Sequence, residues 1–206
     1  MKEAIGHFDN SLTLGFDYYR VNANIRQYPR FDLEKKNTGV YVHDEFSITD
    51  KLMLSADYRW DQANYKLSAP GPTRSSMNYD AKVFSAGVNY RLLDRSNVYF
   101  SFAQGFRYPI PDELFDLTNN RINLALKLQT TDNYKLSVRH AFTDNLYGNL
   151  NLFRLDTSNE LTYFPLKTHN KVSPRTRRVG VEITPPDSIR GASACGGVTP
   201  IRTRRS

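Results

Sequence analysis

Acidic, imidazole and thiol side chains are the first candidates for chemistry in this sequence. Two adjacent acid pairs, Asp44-Glu45 and Asp112-Glu113, offer a general acid and a general base, but neighbours on a strand point to opposite faces and share a substrate poorly. The four histidines have no metal-ligand spacing, and the single cysteine, Cys195, permits no internal disulfide. We therefore expect no catalytic residue, no metal site and no cofactor. The histidines are His7, His43, His140 and His169.

Sequence motifs of familiar enzyme classes are also missing. The chain contains no nucleophile elbow, no phosphate-binding loop and no metalloprotease motif. A membrane phospholipase would need a serine and a histidine on one strand face, and the sequence shows no convincing pair. We therefore expect that the protein is not an enzyme.

Arginine and tyrosine residues are better candidates, for binding rather than for catalysis. Arg175, Arg177 and Arg178 form a basic cluster close to a predicted junction between a loop and a strand. Arginine supplies charge-assisted hydrogen bonds to anions, and tyrosine supplies a flat aromatic surface. The same side chains would also suit plain contact with water, so the cluster alone leaves its partner open.

The overall composition admits several classes of protein. The chain has 206 residues, a mean hydropathy of −0.58 and 24% charged residues, as a soluble protein would. Its net charge of +7, taken alone, would suit nucleic acid or an anionic surface. No apolar run approaches the roughly 18 residues of a membrane helix, and the N-terminal residues show no secretory signal pattern.

Alternation with a period of two runs through most of the chain and predicts β-strands. In the clearest case, 52–61, one face reads Leu, Leu, Ala, Tyr, Trp and the other reads Met, Ser, Asp, Arg, Asp. About eight such strands are predicted, most of about 9–12 residues, which is long for a soluble protein and close to the length of transmembrane strands. The alternating segments lie at 12–18, 40–48, 52–61, 84–92, 98–103, 134–139, 146–155 and 179–183.

The connections between these strands alternate in length. Short turns on one side and long segments on the other are typical of an antiparallel up-and-down transmembrane β-barrel, with short periplasmic turns and long extracellular loops. In the strand after residue 146, the apolar phase slips at Phe153 and Leu155, which predicts a β-bulge. The predicted tight turns are 49–51, 94–96 and 143–145, and the predicted long segments are 25–36, 62–78, 106–130 and 157–174.

The strand that begins at Val98 runs into an unusually apolar loop. Val98, Phe100 and Phe102 are expected to face lipid, while the residues between them face the barrel interior. The following segment, Gly105–Pro109, is predicted to be an aromatic girdle where the strand leaves the membrane.

Four segments of the chain, in order, resemble the TonB-dependent outer-membrane receptors. They are Gly39–Asp61, Val98–Phe115 with its Gly-Phe-Arg-x-Pro motif, Leu126–Leu161, and Arg177–Ile183 with its Arg-x-x-Gly-x-Glu strand. The resemblance covers about residues 12 to 184. The departures from the family pattern are Lys127, Gln129 and Ser137.

The resemblance implies a barrel of about 22 strands with an N-terminal plug, integral to the outer membrane of a Gram-negative cell. It also implies energised uptake of a nutrient chelate, most often a ferric siderophore and otherwise cobalamin, haem or another metal chelate. The implied partners are outer-membrane lipid, lipopolysaccharide, the chelate, and the energy-transducing TonB complex for the full-length protein, with no nucleic acid.

The chain is shorter than such a receptor, and we expect it to be an internal piece of the barrel. No plug, no N-terminal box for the TonB complex and no C-terminal aromatic residue are visible, so we expect no transport by this piece alone. Residues 1–11 are interpreted as a lead-in, 12–184 as partial barrel, and 185–206 as an off-pattern, disordered tail after the Thr184-Pro185-Pro186 break.

Within that resemblance, basic and tyrosine residues in loops or on the lumen are predicted to bind the anionic chelate. The same arginines would otherwise meet lipopolysaccharide phosphates or water. The predicted ligand-binding residues are Arg107, Tyr108, Arg121, Arg175 and Arg177.

Two other functions stay open on the sequence. One is a complete eight-stranded outer-membrane barrel with a structural or adhesive role, since about eight strands can close. The other is a soluble, basic, β-rich protein that binds RNA or glycans, although no aromatic and basic RNA motif is visible.

Overall fold

Antiparallel strands dominate the computed structural model, which describes residues 9–26, 30–68, 74–110, 113–116, 121–123, 125–143, 146–164, 169–184, 199–200 and 204–205. For 115–116, 121–122, 162–164, 169–171, 173, 199–200 and 204–205, only the backbone is described. The described residues contain no α-helix, and they therefore contain no helix that is long and apolar enough to cross a membrane. The strands are β1 (Asp9–Ile25), β2 (Phe31–Thr49), β3 (Leu52–Ser68), β4 (Arg74–Leu93), β5 (Ser96–Arg107), β6 (Phe115–Asp116), β7 (Arg121–Ile122), β8 (Gln129–Thr143), β9 (Leu146–Ser158), β10 (Glu160–Phe164), β11 (His169–Ser173), β12 (Thr176–Thr184), β13 (Thr199–Pro200) and β14 (Arg204–Arg205).

Eight long strands form one sheet in the order β1-β2-β3-β4-β5-β8-β9-β12, and each is antiparallel to its neighbours. The predicted all-β up-and-down architecture with about eight strands is therefore confirmed. The short strands β13 and β14 pair with β12, while β6-β7 and β10-β11 form two separate hairpins.

The sheet is open in the part of the chain that the structure describes. At one edge β1 pairs with β2, and at the other β12 pairs with β9, β13 and β14, so β1 and β12 do not meet. Closure of these eight strands into a complete small barrel is therefore not observed.

The connections are sorted by length between the two ends of the sheet, as predicted. Short turns join β2 to β3 and β4 to β5, whereas residues 108–128 and 159–175 separate their flanking strands at the opposite end. Residues 144 and 145 of the predicted turn 143–145 lie outside the described residues, as does most of the predicted tail.

Two of the predicted long loops are wrong, because strands occupy most of them. Only residues 26–30 separate β1 from β2, and only residues 69–73 separate β3 from β4. The four strands β1 to β4 contain 17, 19, 17 and 20 residues, well beyond the roughly 9–11 that cross a bilayer. They therefore continue past the apolar part of the sheet.

One face of the sheet carries an apolar band beside the short-turn end. Leu14, Phe84 and Phe100 are 73%, 49% and 48% exposed, far more than is usual for large apolar side chains. The predicted outward orientation of these strand faces is confirmed. The band also includes the exposed side chains Leu12, Phe16, Tyr18, Val40, Phe46, Tyr58, Val88, Tyr90, Leu92, Leu136, Val138, Phe142, Leu150, Leu152, Val179 and Ile183.

Beyond this band, the apolar side chains move to the opposite, inner face without any break in pairing. On β2 and β3 the buried residues Phe31, Leu33 and Tyr65 lie at odd positions, whereas the outward residues lie at even positions. This change of side explains why sequence reasoning ended these strands too early: it searched for a single apolar face along each strand.

The predicted bulge at Phe153 and Leu155 is wrong for the same reason. The register from Ala141↔Tyr147 to Thr130↔Ser158 runs without a shift, and so does the register between β9 and β12. The apolar residues pass from the outer face at Leu152 to the inner face at Phe153.

Two inner-face glycines lie beneath aromatic rings of the neighbouring strand. A Cβ at Gly15 would lie 1.9 Å from Cζ of Tyr41, and a Cβ at Gly180 would lie 2.3 Å from Cζ of Phe153. Gly15 pairs directly with Tyr41, and Gly180 with Phe153, so each ring covers the backbone opposite it. A side chain at either position would force the facing aromatic ring to move.

We predict that Gly15→Ala destabilises the folded sheet by about 1–3 kcal/mol, because the methyl group displaces the Tyr41 ring. The measurement is loss of strand circular dichroism on heating in detergent. Gly105→Ala is the matched control, since a Cβ there meets nothing within 4 Å. Equal melting of the two variants would contradict the packing argument.

Candidate ligand-facing wall and outer arginine cluster

The segment between β5 and β8 folds onto the inner face, away from the short-turn end. We call the described part of residues 108–128 the inner loop. The hydroxyl of Tyr65 donates to the carbonyl of Pro109 at 3.0 Å, and that of Tyr79 donates to the carbonyl of Leu126 at 3.0 Å. Tyrosines of β3 and β4 therefore hold both ends of the inner loop. The buried cluster beneath it comprises Phe31, Leu33, Ala63, Tyr65, Leu67, Met77, Tyr108, Leu114 and Leu126.

A buried carboxylate on β3 forms the polar anchor of the inner loop. The side chain of Asp61 is 2% exposed and accepts hydrogen bonds from Tyr108 Oη at 2.7 Å, Asn37 Nδ2 at 2.8 Å and Arg59 Nη2 at 2.6 Å. Arg59 also pairs with Asp17 at 2.8 Å. These donors compensate the cost of burying the charge.

Arg107 and Tyr108, two of the predicted ligand-binding residues, lie together at the start of this loop. Arg107 binds Glu113 through two hydrogen bonds of 3.0 and 2.9 Å, and Glu113 also accepts the Ile110 amide at 3.0 Å. Burial, with the adjacent Asp61, raises the pKa of Tyr108 well above its ordinary value, so the hydroxyl remains a donor. Both residues shape the loop, and their direct contact with a ligand stays a prediction.

The predicted membrane-exit girdle is wrong for two of its residues. Tyr108 is 9% exposed and Pro109 is less than 2% exposed, and both are held on the inner side. Their apolar surfaces pack against the inner face of the sheet, because at that end of the strands the buried apolar cluster lies on the inner face.

Lys35 lies among tyrosine rings on the same inner wall. Its Nζ lies 5.3 Å from the ring centroids of Tyr19 and Tyr65 and 4.9 Å from that of Tyr108. Such distances permit cation–π attraction. Sequence reasoning missed Lys35 and Tyr19, because Lys35 fell inside a predicted loop and Tyr19 just beyond a predicted strand.

A second basic group lies on the outer face, just beyond the apolar band. Asp156 accepts from Arg154 Nη2 at 2.5 Å, Arg177 Nε at 2.6 Å and Arg175 Nη2 at 3.4 Å. We call these four residues the outer arginine cluster. Arg177 pairs opposite Asp156 and shares the face of Val179, so it points outward, whereas Arg178 pairs with Glu160 on the other face.

The arginines keep Asp156 ionised. Their hydrogen bonds lower the pKa of Asp156 to about 2, although its side chain is only 1% exposed. A ligand role for Arg175 and Arg177 stays a prediction. Arg121 lies in β7, opposite Asp116, and its side chain is outside the described residues.

Few groups suited to catalysis or metal binding are brought together. In the described residues, no group of three or more His, Cys, Asp and Glu side chains is placed to hold a metal ion. The structure does reveal one Ser–His contact, in which Ser96 Oγ lies 2.7 Å from His140 Nδ1. The sequence did not indicate this contact, because the two residues are 44 positions apart and meet only through the pairing of β5 with β8. Ser96 is only 7% exposed, and His140 packs edge-on against Phe142.

Comparison with known proteins decides the family. Residues 3–192 match the family model described as TonB dependent receptor-like, beta-barrel, which extends past both ends of the predicted 12–184 segment. The chain belongs to the TonB-dependent receptor family. Members of this family are outer-membrane receptors and transporters rather than enzymes.

Two curated relatives of this TonB-dependent receptor chain carry siderophore names. The rhizobactin receptor of Rhizobium meliloti is 28% identical over 110 residues, which is 45% of this chain and 14% of that protein. An Acinetobacter baumannii protein named "Probable TonB-dependent siderophore receptor PiuA" is 28% identical over 80 residues, which is 36% of this chain and 11% of that protein. The chain thus matches about a seventh of the length of the rhizobactin receptor and a smaller share of the length of PiuA.

Solved structures of TonB-dependent receptors share the fold. The copper transporter OprC superposes with a TM-score of 0.68 at 16% identity, covering 85% of this chain and 32% of OprC. The siderophore receptor PiuA from Acinetobacter baumannii gives 0.59 at 19% identity, covering 74% of this chain and 23% of PiuA. The likeness shows that the open sheet corresponds to a barrel wall.

We predict that Tyr108→Phe loosens the inner loop while the sheet stays folded. The change removes one donor from the buried carboxylate of Asp61 with little change of shape and should cost about 1.5–3 kcal/mol locally. Amide hydrogen exchange of residues 108–128 should become faster. Tyr58→Phe, on the exposed outer face, is the control, and unchanged exchange in Tyr108→Phe would contradict the anchor.

We predict a pH-dependent effect of Asp156→Asn on thermal stability. Because the folded pKa lies below the ordinary 3.8, the carboxylate stabilises the fold fully above about pH 4, and this contribution is lost as the pH falls through about 2. On heating in detergent, the melting temperature of the wild type should exceed that of Asp156→Asn by a constant margin from pH 7 to pH 4. A margin that vanishes already near pH 5 would contradict the ion-pair geometry.

Proposed function

We propose that the chain forms part of the wall of an outer-membrane receptor that takes up a ferric siderophore with energy from the TonB complex. The observation that carries the proposal is the family match over residues 3–192, joined to two curated relatives named for siderophores. The copper transporter among the structural neighbours shows that the fold also serves other metal cargo. Siderophore is preferred here because the relatives found by sequence carry that name.

The inner wall beside the inner loop supports this proposal chemically. Lys35 is cationic, Tyr19 is 43% exposed, and both lie on the face that a closed barrel would turn to its lumen. Ammonium and phenol groups suit the negative oxygen donors and flat rings of many iron chelates. We propose that Lys35 and Tyr19 contact the chelate, with Arg107 and Tyr108 holding the loop beside it.

The apolar band supports placement in a membrane. Its exposed rings and aliphatic side chains would contact lipid acyl chains, and the polar residues beyond it would lie in the extracellular headgroup region. Lipid and lipopolysaccharide are accordingly the proposed partners of the outer face.

The proposal is tested by uptake of radioactive iron. The complete receptor that contains this chain is expressed in cells that lack other siderophore receptors, and hydroxamate, catecholate and citrate-type ferric chelates are supplied one at a time. Uptake of at least one chelate should appear with the receptor and disappear when TonB is deleted. No uptake of any of these chelates, or uptake that persists without TonB, would sink the proposal.

We predict that Lys35→Gln weakens binding of the transported ferric chelate about tenfold, the loss expected for one charged hydrogen bond. Quenching of intrinsic fluorescence in the purified receptor measures the affinity. Lys51→Gln removes the same charge at the exposed short turn at the other end of the sheet and should leave the affinity unchanged. Equal affinities in the two variants would remove Lys35 from the binding wall.

A further inference from the structure

We propose that Gln129, the first residue of β8, couples the inner loop to the hairpin formed by β10 and β11, so that the two segments loosen together. The inference goes beyond the proposed function, because it concerns how two parts of the wall depend on each other, whatever the cargo is. It is carried by hydrogen bonds and packing among residues that the structure describes.

The side-chain oxygen of Gln129 lies between the two segments. It accepts one hydrogen bond from Arg107 Nη2 at 3.3 Å and another from the backbone N–H of Leu161 at 3.2 Å. Arg107 also holds Glu113 of the inner loop through two hydrogen bonds, whereas Leu161 belongs to β10. A single acceptor therefore joins a contact of the inner loop to the backbone of the hairpin.

A second hydrogen bond joins the same segments one residue away. The hairpin leaves β9 through Asn159, which has a left-handed backbone conformation with a φ of 53°, a conformation that asparagine adopts more readily than most residues. Its side-chain Nδ2 donates to the carbonyl of Leu128 at 3.1 Å. The turn at which the hairpin begins is thus bonded to the last residue of the inner loop.

The base of the hairpin is fixed to the sheet on the side of β12. Glu160, the first residue of β10, accepts hydrogen bonds from Thr176 Oγ1 at 2.7 Å and from Arg178 Nη2. These contacts hold the start of the hairpin to the strand that follows it. A disturbance of the hairpin is therefore passed toward β8 and the inner loop through Leu161 and Gln129.

Apolar packing brings the two segments onto one surface. Leu114 and Leu126 of the inner loop are buried in the inner-face cluster, and Leu161 and Val172 of the hairpin pack against that cluster. Partly buried aliphatic side chains can adjust to one another, whereas a hydrogen bond to a backbone N–H requires a defined distance and direction. The directional contact at Gln129 is for that reason the proposed joint.

The amide group suits this position. Gln129 is one of the departures from the family pattern noted in the sequence. A neutral amide oxygen accepts both hydrogen bonds without adding a third carboxylate to Glu113 and Glu160, which bind the neighbouring arginines. The departure therefore provides an acceptor and no charge.

The test is amide hydrogen exchange of the purified complete receptor in detergent, with no chelate added. Gln129→Leu should speed exchange in both 108–128 and 160–173 by about three- to tenfold, the change expected for the loss of one hydrogen bond. Gln104→Leu is the matched control, because it removes an equal amide that is bonded to Asp132 within the sheet, and it should leave both segments unchanged.

Transmission between the segments is measured with a second substitution. Leu161→Ala alters only the hairpin, yet it should speed exchange of 108–128 by about threefold in the wild-type background. The same substitution should have no further effect on 108–128 when Gln129→Leu is already present, because the joint is then missing.

Faster exchange in only one segment of Gln129→Leu, or in neither, would overturn the inference. An equal effect of Leu161→Ala in both backgrounds, or no effect in either, would overturn it as well, since packing or nothing would then connect the segments. Gln129→Asn keeps the amide but shortens the side chain, so it should act like Gln129→Leu and replaces that variant if it does not fold. Iron uptake is scored separately: coupled exchange in a receptor that takes up no chelate refutes the proposed function alone.

Discussion

Hydrocarbon offers no partner to a backbone N–H or C=O, so each long strand here must keep its hydrogen-bond ladder unbroken across the apolar band. The ladder continues unbroken beyond the band on most strand pairs, while the side-chain pattern does not. Apolar residues face outward beside the short turns and inward at the other end. A single pleated backbone thereby presents an exposed apolar face outward beside the short turns and builds a small buried core with its other face at the opposite end.

This change of side organises the candidate functional wall. Because the inner face becomes apolar beyond the band, the inner loop can pack there and be fixed by Tyr65, Tyr79 and Asp61. The inner loop in turn supplies Tyr108, whose ring completes the set of tyrosine rings around the Lys35 ammonium group. On the outer face the same region is polar and carries the three arginines that surround Asp156.

Sequence reasoning recovered the period-two strands, their antiparallel order and the outward band, because those depend on local alternation. It misplaced the strand ends at Lys36 and Gln62 and introduced a bulge at Phe153, because it assumed one apolar face per strand. It selected Arg175 and Arg177 by their clustering, but not Arg154 or Asp156, which join them through cross-strand register. Lys35 and its tyrosines likewise depend on contacts between strands that a linear pattern does not show.

The pairing of β4 and β5 has a mechanical consequence. Their described register covers only Ser85↔Ala103 to Leu93↔Ser96, although β4 itself begins at Arg74 and pairs with β3 along most of its length. Beyond the Ser85↔Ala103 pair β4 and β5 are no longer paired, while β5 continues along β8 to the Arg107↔Gln129 pair, where the inner loop begins. The wall therefore contains a stretch in which β4 and β5 are not paired. A pulling force transmitted through the barrel would separate the strands there before it disrupted strand pairs that are hydrogen-bonded along most of their length.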